Sequence, residues 1–304
     1  MPYRLLPLPV ILLVQAAIAQ SHYTARLPAA QSIDSLRTPD QVLAFVKGLE
    51  KYDTNVSLHR NNPLYGGRVR EKRRQDFGAL PYEKADLDGN GYTDLLFNGY
   101  QYQQGYSFPW TRIILWFGGD SLRVIGWHKD LMAAKAIRLG DQLSIRTLRA
   151  DGIDTLVWFQ DNFIERVPPQ KHRIQEIRYE FCPCGLSLEG SFHMTIYGDS
   201  VKLITDAAIS PGTRVDSGGF FVARLDTALR HRLYALLERV DFPHLMERYH
   251  SQSTDQPMGE LEITYDQGKR KTISFDGLEG TWGMSALHAL LLELEDTLSW
   301  TKID

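Results

Sequence analysis

One short stretch constrains the fold most strongly, because an oxygen-rich loop runs directly into an apolar strand. Residues 86–94 read Asp-Leu-Asp-Gly-Asn-Gly-Tyr-Thr-Asp, and the apolar residues 95–97 follow at once. Side-chain oxygens fall at loop positions 1, 3, 5 and 9, while position 7 can offer its backbone carbonyl. This spacing is typical of a loop that surrounds a hard cation such as Ca²⁺. The predicted calcium ligands are Asp86, Asp88, Asn90, the Tyr92 carbonyl and Asp94.

An EF-hand is excluded, because loop position 12 is Phe97 instead of a carboxylate and a strand follows in place of a helix. Residues 86–99 instead resemble a single calcium loop of the FG-GAP, or integrin-type, propeller repeats. No second copy of the loop occurs in the sequence, which argues against a propeller. The alternative is a metal-free turn held by Asx hydrogen bonds. Three carboxylates so close together repel one another without a cation, and this favours the calcium interpretation.

The first 19 residues have the pattern of a secretory signal peptide. One positive charge precedes the apolar run 10–14, and a small-residue Ala-Ile-Ala cleavage site ends at residue 19. The run is too short to anchor the chain in a bilayer, and no later stretch predicts a transmembrane segment. We therefore expect an exported, soluble protein, periplasmic or extracellular, in which the polar residues 20–37 form a tether.

The charge balance gives no support for a nucleic-acid partner. The chain carries a formal net charge of −3, and its basic cluster spans residues 68–74. No aromatic residue is interleaved with this cluster to stack on bases, so it is predicted to be a solvated loop or an exposed strand face. The expected partner is instead an unknown protein or glycan.

Local patterns in the first half predict a helix followed by antiparallel strands. Thr38 as N-cap, Pro39 at the first helical position and Gln41 in a capping box indicate where the helix begins. Two hairpins follow, at residues 112–127 and 143–159, and each carries apolar residues on one face. These features predict a helix packed on an antiparallel sheet.

Pro168-Pro169 interrupts these patterns and predicts a boundary between two domains, residues 38–169 and 170–304. The second domain alternates strand and helix patterns. Two helices, about residues 226–242 and 285–298, are predicted to pack on their own antiparallel sheet. The fold class expected for the whole chain is therefore α+β.

The C-terminal half also contains several short motifs that stand out from its regular periodicity. They are FHMTIYGD at residues 192–199, Phe242 with Tyr249, TDQP at 254–257, KTI at 271–273 and GTWG at 280–283. Together they resemble an uncharacterised bacterial family of exported proteins, known only as a domain of unknown function. No activity is attached to that family, so the resemblance implies export without implying a mechanism.

The two cysteines, Cys182 and Cys184, are separated by Pro183 alone. Such a pair could close a strained disulfide, bind a soft metal or exchange thiols. Redox motifs normally place two residues between the cysteines, so a structural or oxidised pair is the favoured interpretation. In an exported protein we expect the two sulfurs to lie close together with partial or labile oxidation.

No catalytic signature appears in the sequence, which has neither a Gly-x-Ser-x-Gly elbow nor a phosphate-binding glycine loop. The first hypothesis is therefore a non-enzymatic binding or structural protein with a calcium-stabilised loop. The alternative is a secreted hydrolase with a site assembled from residues distant in sequence, such as His128, Glu165 or Asp255. A deep cleft with converging titratable groups would favour the hydrolase, and shallow polar surfaces would favour the binding protein.

Overall fold

The computed structural model describes residues 21–26, 32–49, 55–59, 67–103, 105–126, 131–183, 191–205, 218–250, 256–278 and 280–303. The predicted signal peptide, residues 1–19, lies outside these ranges. No helix within them combines the length and the apolar character needed to cross a bilayer. The predicted α+β class is confirmed, because the described residues form α-helices and mostly antiparallel sheets.

The chain divides into two compact units. The N-terminal unit combines His22–Pro168 with Thr281–Ala286, and the C-terminal unit contains Pro169–Gly280 and Leu287–Asp304. The expectation of two domains that follow one another in sequence is wrong for Thr281–Ala286. Trp282 from this segment is 2% exposed and lies among the core residues of the N-terminal unit.

The N-terminal unit is built from helices α1 (Pro39–Leu49) and α2 (Gly67–Phe77) and from strands β1 to β10. The strands are β1 (Ser21–Arg26), β2 (Val56–Ser57), β3 (Tyr82–Ala85), β4 (Asp94–Gln103), β5 (Tyr106–Trp116), β6 (Ser121–Gly126), β7 (Leu131–Leu139), β8 (Gln142–Arg149), β9 (Ile153–Phe159) and β10 (Asn162–Glu165). One sheet has six strands in the order β1-β6-β5-β4-β2, with β3 also paired to β4. The second sheet has the order β10-β9-β8-β7.

The six-stranded sheet is buried on both faces, because β4 and β5 carry apolar residues at consecutive positions. Successive side chains of a strand point to opposite faces. Leu95 and Phe97 of β4 accordingly pack with α1, whereas Leu96 between them packs with residues of the four-stranded sheet. The face of α1 that covers the sheet consists of Val42, Phe45, Val46 and Leu49.

The predicted start of α1 is confirmed by its hydrogen bonds. The Gln41 Oε1 atom accepts from the backbone N–H groups of Arg37 at 2.7 Å and Thr38 at 3.1 Å. The Thr38 Oγ1 atom accepts in return from the Gln41 N–H at 3.3 Å. These reciprocal contacts form a capping box, which satisfies N–H groups that have no partner inside the helix.

The predicted tether, residues 20–37, is wrong for the part of it that the structure describes. Ser21–Arg26 forms β1, which pairs with β6. Ile33 and Leu36 are 0% and 3% exposed and belong to the core beneath α1. These isolated apolar residues gave no periodic pattern, so their burial was not visible in the sequence.

The prediction for the basic cluster at residues 68–74 is also wrong, because these residues lie within helix α2. Phe77 is its one buried residue, so the helix shows no apolar period. The Arg74 guanidinium donates to the carbonyls of Met132 at 2.8 Å and Asn98 at 3.1 Å, and lies 4.2 Å from the centre of the Tyr100 ring. Contacts with distant strands therefore stabilise α2.

In the described residues, the C-terminal unit forms one eight-stranded sheet with two α-helices. Its strands are β11 (Ile174–Cys182), β12 (Phe192–Tyr197), β13 (Ser200–Thr205), β14 (Gly219–Arg224), β15 (Arg248–Tyr249), β16 (Met258–Tyr265), β17 (Lys269–Asp276) and β18 (Thr301–Ile303). They follow the order β15-β17-β16-β11-β12-β13-β14-β18, and each pairing is antiparallel except β15 with β17. The α-helices are α3 (Thr227–Val240) and α4 (Trp282–Thr297), and α4 belongs to this unit from Leu287 onward.

This sheet has one buried and one open face, as the alternation of its strands indicates. Along β11, the buried residues Ile177, Tyr179 and Phe181 alternate with exposed Arg178 and Glu180. Helix α4 covers the buried face, where the ring of His288 lies 4.3 Å from that of Phe275 and 5.7 Å from that of Tyr179, centre to centre.

Candidate metal centre

The oxygen-rich loop connects β3 to β4, whose ends pair through Ala85 and Asp94. The chain turns within a few residues because Gly89 and Gly91 adopt positive φ angles of 78° and 87°. This left-handed region is accessible to glycine at little cost, whereas a side chain would be strained there. Strand pairing therefore fixes both ends of the loop, and the two glycines allow its curvature.

Side-chain oxygens of the loop accept hydrogen bonds from its own backbone. The two carboxylate oxygens of Asp86 accept from the N–H groups of Gly89 at 2.9 Å and Gly91 at 3.0 Å. Asp88 Oδ1 accepts from the Asn90 N–H at 3.1 Å. These Asx contacts pull the carboxylates toward the inside of the turn.

Asp94 is the innermost of the three carboxylates, with 0% of its surface exposed. Its oxygens accept from the backbone N–H groups of Leu87 at 2.6 Å and Trp116 at 2.8 Å. Its pKa is raised to about 7, chiefly by burial and to a smaller extent by the charges of Asp88 and Asp86, while the hydrogen bonds from Trp116 and Leu87 oppose the rise. A negative charge at this position is therefore costly unless a cation lies beside it.

The structure brings three of the predicted ligands together. Oxygen atoms of Asp86, Asp88 and Asp94 all lie within 4.8 Å of one another, close enough to contact one ion. Burial, followed by the charge of Asp86, also raises the pKa of Asp88. No ion pair joins a lysine, arginine or histidine of the described residues to these three carboxylates. The cluster therefore offers hard oxygen donors and uncompensated negative charge to a cation.

Asn90 and Tyr92, the other two predicted ligands, anchor the loop on the end of β5. The Asn90 amide donates to the Trp116 carbonyl at 2.9 Å and to Asp88 Oδ2 at 3.0 Å. The rings of Tyr92 and Trp116 are in contact, with centres 5.2 Å apart. Asn90 thus orients Asp88, and coordination by Asn90 or by the Tyr92 carbonyl stays a prediction.

Cys182 lies exposed at the end of β11, where the Ser191 hydroxyl is 3.3 Å from its sulfur. Cys184 lies outside the described residues. The predicted proximity and labile oxidation of the two cysteines therefore stay predictions.

The carboxylate of Glu165, one of the residues considered for the hydrolase site, accepts hydrogen bonds from the start of α4. Its two carboxylate oxygens accept from the backbone N–H groups of Trp282 at 2.6 Å and Gly283 at 2.8 Å. Burial raises the pKa of this carboxyl group, while the same hydrogen bonds oppose the rise. The contact fixes a helix end. His128 and Asp255 lie outside the described residues.

A further surface feature was not predicted from the sequence. An open depression of about 490 Å³ runs along the outer side of α3 in the C-terminal unit. Arg230, Tyr234 and Glu238 line it at intervals of four residues, a spacing that places side chains on one side of a helix. That spacing was present in the sequence, but it is also common on solvated helices.

Comparisons of the chain with protein-family models, with curated proteins and with solved structures give no match. The resemblances to the FG-GAP loop and to the uncharacterised bacterial family therefore stay predictions from the sequence. A function for this chain therefore has to be inferred from the arrangement of its own residues.

Proposed function

We propose that this chain is an exported, non-enzymatic binding or structural protein whose 86–94 loop is stabilised by Ca²⁺. The observation that carries the calcium proposal is the convergence of Asp86, Asp88 and Asp94, whose oxygens lie within 4.8 Å of one another. Export to the periplasm or the extracellular space follows from the signal-like residues 1–19. The partner is an unknown protein or glycan.

Calcium suits this cluster better than a softer ion, because every available donor is an oxygen. Ca²⁺ takes six to eight oxygen ligands, so water or a group from elsewhere in the chain must supply those that the loop does not. The loop lacks the position-12 carboxylate of an EF-hand, and we expect a dissociation constant of about 10⁻⁴–10⁻³ M, in the range of extracellular modules. Binding to the folded state alone would stabilise the protein by mass action.

The hydrolase alternative has less support. Glu165 has both carboxylate oxygens engaged by the backbone of α4, which leaves it a structural role. The depression along α3 is open, as expected of a surface that binds a partner. We therefore favour binding over catalysis.

The calcium proposal is tested by thermal unfolding with excess calcium and with a chelator. The wild-type protein is expected to melt at a higher temperature in calcium. Asp88→Asn keeps an oxygen that can accept from the Asn90 N–H but removes a charge, so its melting temperature should no longer respond to calcium. Asp141→Asn, an exposed aspartate in the turn between β7 and β8, should respond like the wild type.

A wild-type melting temperature that does not change at several millimolar calcium would leave a metal-free Asx turn as the correct description. Export has its own test, because mass spectrometry of protein from the cell envelope should find an N-terminus at Gln20. An intact Met1 on that protein would contradict cleavage after Ala19.

A further inference from the structure

We propose that the depression along α3 binds an extended peptide of about three or four residues with free termini. This inference names a ligand class for the binding role proposed above. The depression belongs to the C-terminal unit and the calcium loop to the N-terminal unit, so the two proposals fail separately. The peptide carboxylate would lie at Arg230 and the peptide ammonium at Glu238.

The depression has a charged side chain toward each of its two ends. Arg230 and Glu238 both line it, and no hydrogen bond or ion pair engages either side chain within the described part of the chain. Burial, the largest effect, raises the pKa of the Tyr234 hydroxyl, while the charge of Arg230 lowers it and the charge of Asp199 raises it. Arg230 and Tyr234 line the same depression four residues apart, so the guanidinium lies on the same side of α3 as Tyr234 and is available for an anionic group.

The distance between the two charges sets the length of the ligand. Eight residues of α-helix separate Arg230 from Glu238, which corresponds to about 12 Å along the helix axis. An extended peptide spans about 3.3–3.6 Å per residue, so three or four residues bring its two termini to opposite ends of the depression. A lone small anion such as phosphate would reach Arg230 and leave Glu238 without a partner.

The middle of the depression suits an uncharged peptide backbone. The Tyr234 hydroxyl donates to the Gly198 carbonyl at 3.2 Å, which holds its ring between the two charged ends. Ile174 and Ala235 add apolar surface, and Thr227 and His231 add polar groups near Arg230. The charged ends therefore determine orientation, while the centre tolerates different small side chains.

The experiment uses tri-alanine and tetra-alanine, with binding measured from the NMR line broadening of the peptide as the full-length protein is added. N-acetylated and C-amidated forms of each peptide remove one terminal charge at a time. Arg230→Gln and Glu238→Gln remove the matching charges from the protein. Arg68→Gln on α2 and Glu247→Gln before β15 are exposed controls outside the depression.

Arg230→Gln and Glu238→Gln are each expected to weaken binding of the unblocked peptide by about two- to five-fold, the effect of losing one exposed ion pair. Because the two ends act as separate pairs, C-amidation should make no further difference to Arg230→Gln, and N-acetylation should make none to Glu238→Gln. The two controls should bind like the wild type, and circular dichroism should show that all four variants are folded.

Equal binding of the unblocked, N-acetylated and C-amidated peptides to the wild-type protein, or equal losses in the control variants, would overturn the proposal. So would tight binding of inorganic phosphate that the peptides do not displace. No broadening of either peptide would reject this ligand class, while calcium-dependent melting of the N-terminal unit would stand unaffected.

Discussion

The Asn98 side chain on β4 pairs with the backbone of Ala134 on β7 as another strand would. Its Oδ1 atom accepts from the Ala134 N–H at 2.8 Å, and its amide donates to the Ala134 carbonyl at 2.7 Å. The same amide donates to the Leu80 carbonyl at 2.8 Å. One buried side chain thus joins the two sheets of the N-terminal unit.

Replacing Asn98 should therefore destabilise the protein strongly. Asn98→Ala leaves the buried N–H and carbonyl of Ala134 without partners, and we expect the free energy of unfolding to fall by about 2–4 kcal/mol. Equilibrium urea unfolding measures this change. Asn162→Ala removes an amide contact in the turn between β9 and β10 and should cost less. Equal losses in the two variants would contradict the bridging role.

Trp282 should be essential to the N-terminal unit although it lies more than a hundred residues beyond the end of β10. It is 2% exposed and packs in the same core cluster as Phe163 and Leu96. Trp282→Ala should lower the free energy of unfolding by about 3–5 kcal/mol, the range for a buried tryptophan. The half-buried Trp300 gives a matched control, and Trp300→Ala should cost clearly less. A small loss for Trp282→Ala would show that the cluster closes without it.

Alanine substitutions at two neighbouring glycines distinguish the effect of backbone strain from the effect of losing a contact that supports the calcium loop. Gly118 and Gly119 have positive φ angles of 83° and 59°, so alanine strains either position by about 1–2 kcal/mol. A Cβ at Gly118 would lie only 2.7 Å from the Tyr92 ring, whereas Gly119 has open space. Gly118→Ala should displace Tyr92 and reduce the calcium-dependent rise in melting temperature. An equal rise in the two variants would show that the Tyr92 contact does not support the site.

Stability should decrease in acid because of His288. Burial lowers the pKa of His288 from 6.5 to about 3, and its Nδ1 atom lies 3.1 Å from the Tyr179 hydroxyl. Since the unfolded chain takes up this proton first, the stabilisation is complete above pH 6.5 and is lost as the pH falls toward the folded-state value. The contribution is at most about 1.4 kcal/mol per pH unit.

Urea unfolding between pH 8 and pH 5 tests this prediction with His288→Gln, which removes the titrating group. The variant should be less stable at pH 8 but should have a shallower dependence on pH, by about one proton. A wild-type slope in His288→Gln would mean that other groups cause the acid sensitivity.

The sequence by itself predicted the elements whose hydrogen bonds are local. The α1 capping box joins residues at most four positions apart, and the Asx contacts of the calcium loop reach at most five. The two predicted hairpins are confirmed as β5 with β6 and β8 with β9. In each case, residue types at short spacing determine the backbone conformation without help from the rest of the chain.

Helix α2 is an element that local sequence patterns did not predict. Its polar sequence carries no apolar period, and it is held by arginines that bind carbonyls 24 to 77 residues away. The burial of Ile33 and Leu36 depends in the same way on strands much later in the chain. Such contacts cannot be read from neighbouring residues, because each partner looks like an ordinary loop or surface residue by itself.

Three features depend on the packing of distant segments: Asp94 is buried, Asn98 joins two sheets and Thr281–Ala286 completes the N-terminal unit. The loop motif placed oxygens close together, but the electrostatic cost of Asp94 depends on how little water reaches it beside β5. That exclusion of water is a property of packed sheets and not of spacing. The local sequence therefore determined which atoms could meet, and packing determined how strongly they interact.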